Sequence, residues 1–199
     1  MDTREARDHL QMVDQILRQA EGGGSWACPE MGVNLVGFGL GAGLLNLAYQ
    51  FSSGTHGAPL ALVVAGAALL VASLVYMVVW TATARRAAER VSLRAVHAGR
   101  VMGAVWCSVT VAAFCQPHIF NQWSASAIWT LGGAISMLVN GFLGERRALA
   151  GGLILLASLV VANYVPAISG YALAAGFLFG YVAVGVMYLT GIGSAHGRG

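Results

Sequence analysis

Cys115 and His118 have the C-x-x-H spacing of half a metal site, with Pro117 bending the chain between them. A thiolate and an imidazole so spaced suit zinc, yet a structural zinc site needs four protein ligands and a catalytic one three. His56 is the only further Cys or His in the loops on that side, and His97 falls at the opposite end of the same apolar run as His118, so neither a zinc centre nor a haem held by two His is expected. Cys28, Cys107 and Cys115 are odd in number, which disfavours a disulfide framework. General acid–base chemistry fares no better. Every Asp lies in the first fourteen residues, and the only acids after Glu30 are Glu89 and Glu145. With no buried base to activate a Ser, the reading is of a chain with no catalytic residues, no metal and no cofactor.

Gly37, Gly39, Gly41 and Gly43 imitate a phosphate-cradling loop, but no strand precedes them and they sit inside an apolar run. On a helix, Gly37 and Gly41 make one small-xxx-small face and Gly39 and Gly43 another, which lets neighbouring backbones approach closely. The residues able to do polar work in the apolar runs are amides: Asn34, Asn46, Asn140 and Asn163. An amide surrounded by hydrocarbon needs a partner, so these four, with Gly37 and Gly41, are candidates either for helix packing or for lining a path taken by an uncharged solute.

The elements that position these groups follow from composition. Of 199 residues, 57% are hydrophobic and 10% charged, with 27 Gly; such a chain requires lipid as its solvent. Six apolar runs, 33–50, 59–82, 100–116, 126–143, 148–165 and 171–192, are each close to the roughly 20 residues that cross a hydrocarbon core. All eleven basic residues counted with Lys are Arg. Beyond residue 30 they lie at 83–100, at Arg146 and Arg147, and at Arg198, while 51–58, 117–125 and 166–170 carry none. Arg-bearing loops stay cytoplasmic, so the basic balance reports topology and excludes nucleic acid as the expected partner. Weak echoes, LLVASLV at 69–75 with LLASLV at 155–160 and Gly39–Asn46 with Gly133–Asn140, hint at an inverted repeat of the transporter kind.

Before the spans, Ala6, Leu10, Val13, Leu17 and Ala20 recur at four- and three-residue intervals, and Gly22, Gly23 and Gly24 end the pattern. This spacing predicts a cytoplasmic amphipathic helix whose seam, Leu10, Val13 and Leu17, is a candidate interaction face. The segment around Arg85, Arg86, Arg90 and Arg94 is a basic cytoplasmic connection, a candidate contact for anionic lipid or for a partner. The opening EARDHLQMVDQILRQA, followed by a Gly-rich first span, resembles a group of small uncharacterised bacterial multi-pass membrane proteins that begin with an EA-x-x-HL helix. The resemblance covers about twenty residues. It implies a signalling or accessory role beside a winged-helix regulator and brings no activity or functional residue.

The expectation is therefore an all-α polytopic transmembrane bundle: residues 1–30 a cytoplasmic amphipathic helix and tether, 31–193 six spans, and 194–199 a cytoplasmic tail. It would sit in a bacterial inner membrane with both termini inside. Its expected partners are the lipid bilayer and either a second copy or a cytoplasmic protein. The expected role is accessory, regulatory or scaffolding, with a channel or transporter for a small neutral solute as the alternative.

Overall fold

The computed structural model describes residues 29–52, 59–87, 101–113, 125–142 and 145–191, and all of its regular structure there is helical. The helices are α1 (Pro29–Ser52), α2 (Leu60–Ala87), α3 (Val101–Ala113), α4 (Ala125–Phe142), α5 (Arg146–Tyr164) and α6, which spans Pro166–Thr190. Five of these six, all but α3, are long and apolar enough to cross a membrane. Leu10, Val13, Leu17, Arg90, Arg94, Cys115, His118 and the tail 194–199 lie outside the described residues.

α1 starts at Pro29, four residues before the expected span. The apolar run begins later, but Pro29 has the φ suited to a first helical residue and lacks the N–H that would go unbonded there. Glu30 adds a carboxylate to the positive end of the helix. α6 opens with a 3-10 turn over Pro166–Ile168, again with Pro at its start. It then runs α-helical over Ser169–Phe177, π-helical over Leu178–Val182 and α-helical again to Thr190. The sequence carried no signal for that π turn.

α6 packs between α1 and α5; α2 leans on α1, and α4 on α5. The contacts that set these registers are between small residues. A Cβ built on Gly41 would lie 2.9 Å from the Gly66 carbonyl oxygen, and the reverse distance is also 2.9 Å. Gly151 and Gly180 meet in the same way, at 2.7 and 3.0 Å. Such distances exclude any side chain, and they bring helix backbones together where lipid tails give no hydrophobic incentive to associate. Pairing Gly37 with Ser73 and Gly41 with Gly66 makes α1 and α2 antiparallel; Gly39 with Tyr181 and Gly43 with Ala174 do the same for α1 and α6. α4 is also antiparallel to α1, because Asn46 meets Ser126 while Gly39 and Gly133 reach the same Tyr181.

The interior combines Gly, Ala and the polar Asn46, Ser73, Thr130 and Ser136 with a limited set of larger apolar side chains such as Leu155, Phe177 and Tyr181, whereas Leu60, Val71, Leu74, Val78, Phe142 and Phe179 face outward. Leaving a side chain of that size in water forgoes roughly 1.5–3 kcal/mol each, so dozens of them would outweigh the 5–15 kcal/mol by which folded domains are normally stable. α2 is the extreme case, with only 11% of its apolar window buried.

Candidate functional site

The polar groups form separate clusters at the two ends of the bundle. At the end where α1 finishes, buried Asn46 donates from Nδ2 to the Ala42 carbonyl at 2.9 Å, and its Oδ1 accepts from the Ser126 hydroxyl of α4. One turn further, Gln50 donates from Nε2 to the Ala167 carbonyl at 2.8 Å and accepts from the Gly170 N–H at 2.7 Å. The Gly170 N–H belongs to the first turn of the α-helical part of α6, Ser169–Phe177, where backbone donors lack α-helical partners, so Gln50 satisfies one of them while binding α1 to α6. Thr130 returns its hydroxyl to the Ser126 carbonyl at 2.7 Å.

At the other end, Ser136 and Asn140 sit one turn apart on α4. The Ser136 Oγ and the Asn140 Oδ1 are buried without a hydrogen-bond partner among the described residues. The Asn140 carbonyl accepts from the Glu145 N–H at 3.1 Å, linking the last turn of α4 to the start of α5. There Arg147 pairs with Glu145 at 3.3 Å, donates to the Met187 carbonyl at 3.3 Å and lies 4.6 Å over the ring of Tyr188. Among the described residues, Asn34 makes only a long contact from Nδ2 to the Met77 sulfur, 3.7 Å.

Between the clusters the bundle is filled by aromatic rings. Phe38 stands 5.4 Å from Tyr181, 5.9 Å from Trp106 in an edge-on arrangement and 6.3 Å from Phe177, and Trp106 continues to Trp129 at 5.7 Å. Ring separations of this size are in the favourable range for offset and edge-to-face pairs. Tyr181 lies within the π turn and donates to the Gly133 carbonyl at 3.4 Å. π turns inside α-helices frequently coincide with functional positions. Here the turn presents Tyr181 to two glycines at once, since a Cβ would come within 2.8 Å of it at Gly39 and 3.0 Å at Gly133.

No family model, curated protein or solved structure matches this chain.

The residues singled out from sequence are thus distributed and do not converge on one point. Gly37 faces Ser73 and Gly41 faces Gly66, both on α2. Asn34 and Asn46 are three turns apart, about 18 Å along α1. Asn140 lies a comparable distance, about 21 Å, down α4 from Ser126, the partner of Asn46. Asn163 is exposed in the last turn of α5. Arg85 and Arg86 fall in the last turn of α2. Sequence reasoning missed Gln50 and Ser126, although Asn46 and Gln50 have the i,i+4 spacing of a polar stripe on α1. It also missed that Tyr181 is a central contact.

What this arrangement can do chemically is exchange hydrogen bonds with neutral groups. Among the described residues, no three His, Cys, Asp or Glu side chains gather as a metal site would require. Glu30 and Glu145 stand at helix ends, away from the aromatic layer.

Proposed function

We propose that this chain is a six-span membrane protein without catalytic chemistry, acting as an accessory, regulatory or scaffolding component through its cytoplasmic helix and Arg-rich loop. The observation that carries the proposal is the closed centre: Phe38, Phe177 and Tyr181 fill the space between the two polar clusters, and Asn46 spends its amide on Ala42 and Ser126. A bundle closed in this way acts through what it holds outside the membrane, where the sequence carries the Leu10, Val13 and Leu17 seam.

Six crossings are supported by the registers. α2 and α4 both run antiparallel to α1, which supports a return crossing of the bundle between Ala87 and Ala125. α3, with about 20 Å of helix, lies on that return and packs at mid-depth, with Val109 on Gly132 and Trp106 by Phe38. Arg85, Arg86, Arg146 and Arg147 share the end at which α1 starts, which supports a cytoplasmic assignment for that end and for both termini. The proposed location is the bacterial inner membrane implied by the resemblance of the opening helix, with lipid and either a second copy or a cytoplasmic protein as partners.

The test is partner capture with the full-length protein in membranes. Leu10→Asp combined with Leu17→Asp should abolish cross-linking to a second copy or to the partner while leaving insertion unchanged; unaltered cross-linking would remove the seam from the proposal. The second reading, a path for a small neutral solute, is favoured by the unpartnered Ser136 Oγ and Asn140 Oδ1. Liposomes containing the protein and challenged with urea or glycerol decide it. Swelling above empty liposomes that disappears in Asn140→Leu would establish the path, and no swelling is the outcome expected of a closed bundle.

A further inference from the structure

A groove of about 300 Å³ runs along the outside of the bundle between α5 and α6. It is lined by the small residues Ala150, Gly151 and Ala183 and by the larger Ile154, Phe179 and Met187. The cause is the contact already described. Because Gly151 touches the Gly180 backbone, the two helices sit too close for large residues at the seam, and larger neighbours rise on either side of a shallow channel. Arg146 and Arg147 stand at one end. Their circumstances differ. Arg147 is held by Glu145, the Met187 carbonyl and the Tyr188 ring, whereas Arg146 is exposed and has no ion pair or hydrogen bond among the described residues.

We propose that this groove binds one anionic phospholipid, with its phosphate on Arg146 and an acyl chain lying over Ala150 and Gly151 towards Ile154 and Phe179. The proposal rests on the membrane-spanning reading, and charge complementarity selects the occupant. A guanidinium at the first residue of a span lies at headgroup depth and offers paired N–H donors matched to phosphate oxygens. The helix N-terminus beneath it adds backbone donors and a favourable dipole. The channel then descends about 12 Å from Arg146 to Ile154, into the acyl region of a bilayer about 30 Å thick. A soluble anion would use the Arg146 end and leave the apolar channel empty; a neutral lipid would use the channel and leave Arg146 unmatched. Basic pockets between spans are recognised lodgings for anionic headgroups in other membrane proteins.

Native mass spectrometry of the full-length protein, released from detergent in the presence of phosphatidylglycerol, phosphatidylcholine or inorganic phosphate, tests this. One phosphatidylglycerol should be retained in preference to phosphatidylcholine. Arg146→Gln should reduce its occupancy by about fivefold, the factor associated with one cation near an anionic headgroup. Arg146→Lys should keep most of it, and Ala150→Trp, which fills an exposed part of the channel, should reduce it without touching the charge. Equal retention of the two lipids, full displacement by inorganic phosphate, or loss in Arg85→Gln with none in Arg146→Gln would each overturn the proposal. Alkaline extraction of the same membranes separates the two levels. A chain that stays in the membrane but shows no lipid preference refutes the groove alone, whereas a chain released by extraction refutes the membrane reading beneath it.

Discussion

Gly32 and Gly185 meet backbone to backbone: a Cβ on Gly32 would lie 2.7 Å from the Gly185 carbonyl oxygen, and one on Gly185 would lie 2.8 Å from that of Gly32. The pair fixes the start of α1 against the last turns of α6. Gly185→Ala should therefore push two backbones apart and cost about 1–3 kcal/mol, as overpacking does elsewhere. Gly103 on α3 has nothing within 4 Å of its would-be Cβ. Gly103→Ala should be neutral or stabilise by up to about 1 kcal/mol through helix propensity. Unfolding of the purified protein in mixed micelles measures both, and equal effects would show that the close approach does not govern stability.

The Asn46–Ser126 bond joins α1 to α4 across 80 residues of sequence. Asn46→Leu and Ser126→Ala should each destabilise by about 1 kcal/mol, and the double variant should cost little more than either single one. A double-mutant cycle gives the coupling directly; additive losses would mean that the two side chains act independently.

Ser136 has the opposite character, with its hydroxyl buried and unpartnered among the described residues. Removing an unsatisfied polar atom relieves a desolvation cost, so Ser136→Ala should be neutral or stabilising by up to about 1 kcal/mol. Destabilisation in the same unfolding assay would instead indicate a bound water or solute between Ser136 and Asn140.

Reporter fusions address orientation. Fusions after residues 90 and 146 should report the cytoplasm, and fusions after 55, 120 and 168 the opposite side, following the Arg asymmetry. A cytoplasmic signal at 120 would remove the crossing assigned to α3.

Five helices were legible because their apolar runs have the length of a span, whereas the run expected over 100–116 is described only as the shorter Val101–Ala113; other limits shift most where Pro29 and Pro166 begin a helix early and where α2 continues past residue 82 to Ala87. The two glycine faces of α1 could be written down from spacing alone, since residues four apart share a face. Which helix each face meets could not, because Gly66 and Gly185 are distant in sequence and any small residue would have served. Gln50 stayed hidden for a related reason: its partners are the Ala167 carbonyl and the Gly170 N–H, main-chain groups that every sequence possesses. The π turn has no composition of its own; it coincides with tertiary contacts, Tyr181 lying against Gly39 and Gly133 and Gly180 against Gly151.

The Gly32–Gly185 contact also sets a timetable for synthesis. Gly41 can meet Gly66 as soon as the second helix leaves the ribosome, but Gly32 must wait for a residue roughly 150 positions later, about 8–30 s at ordinary translation rates. During that interval the face of α1 destined for α6 is already in place and still uncovered. α1, made first among the described helices, is thus among the last of them to be completed, and a chain truncated before residue 185 would leave that face open to whatever neighbours the membrane supplies.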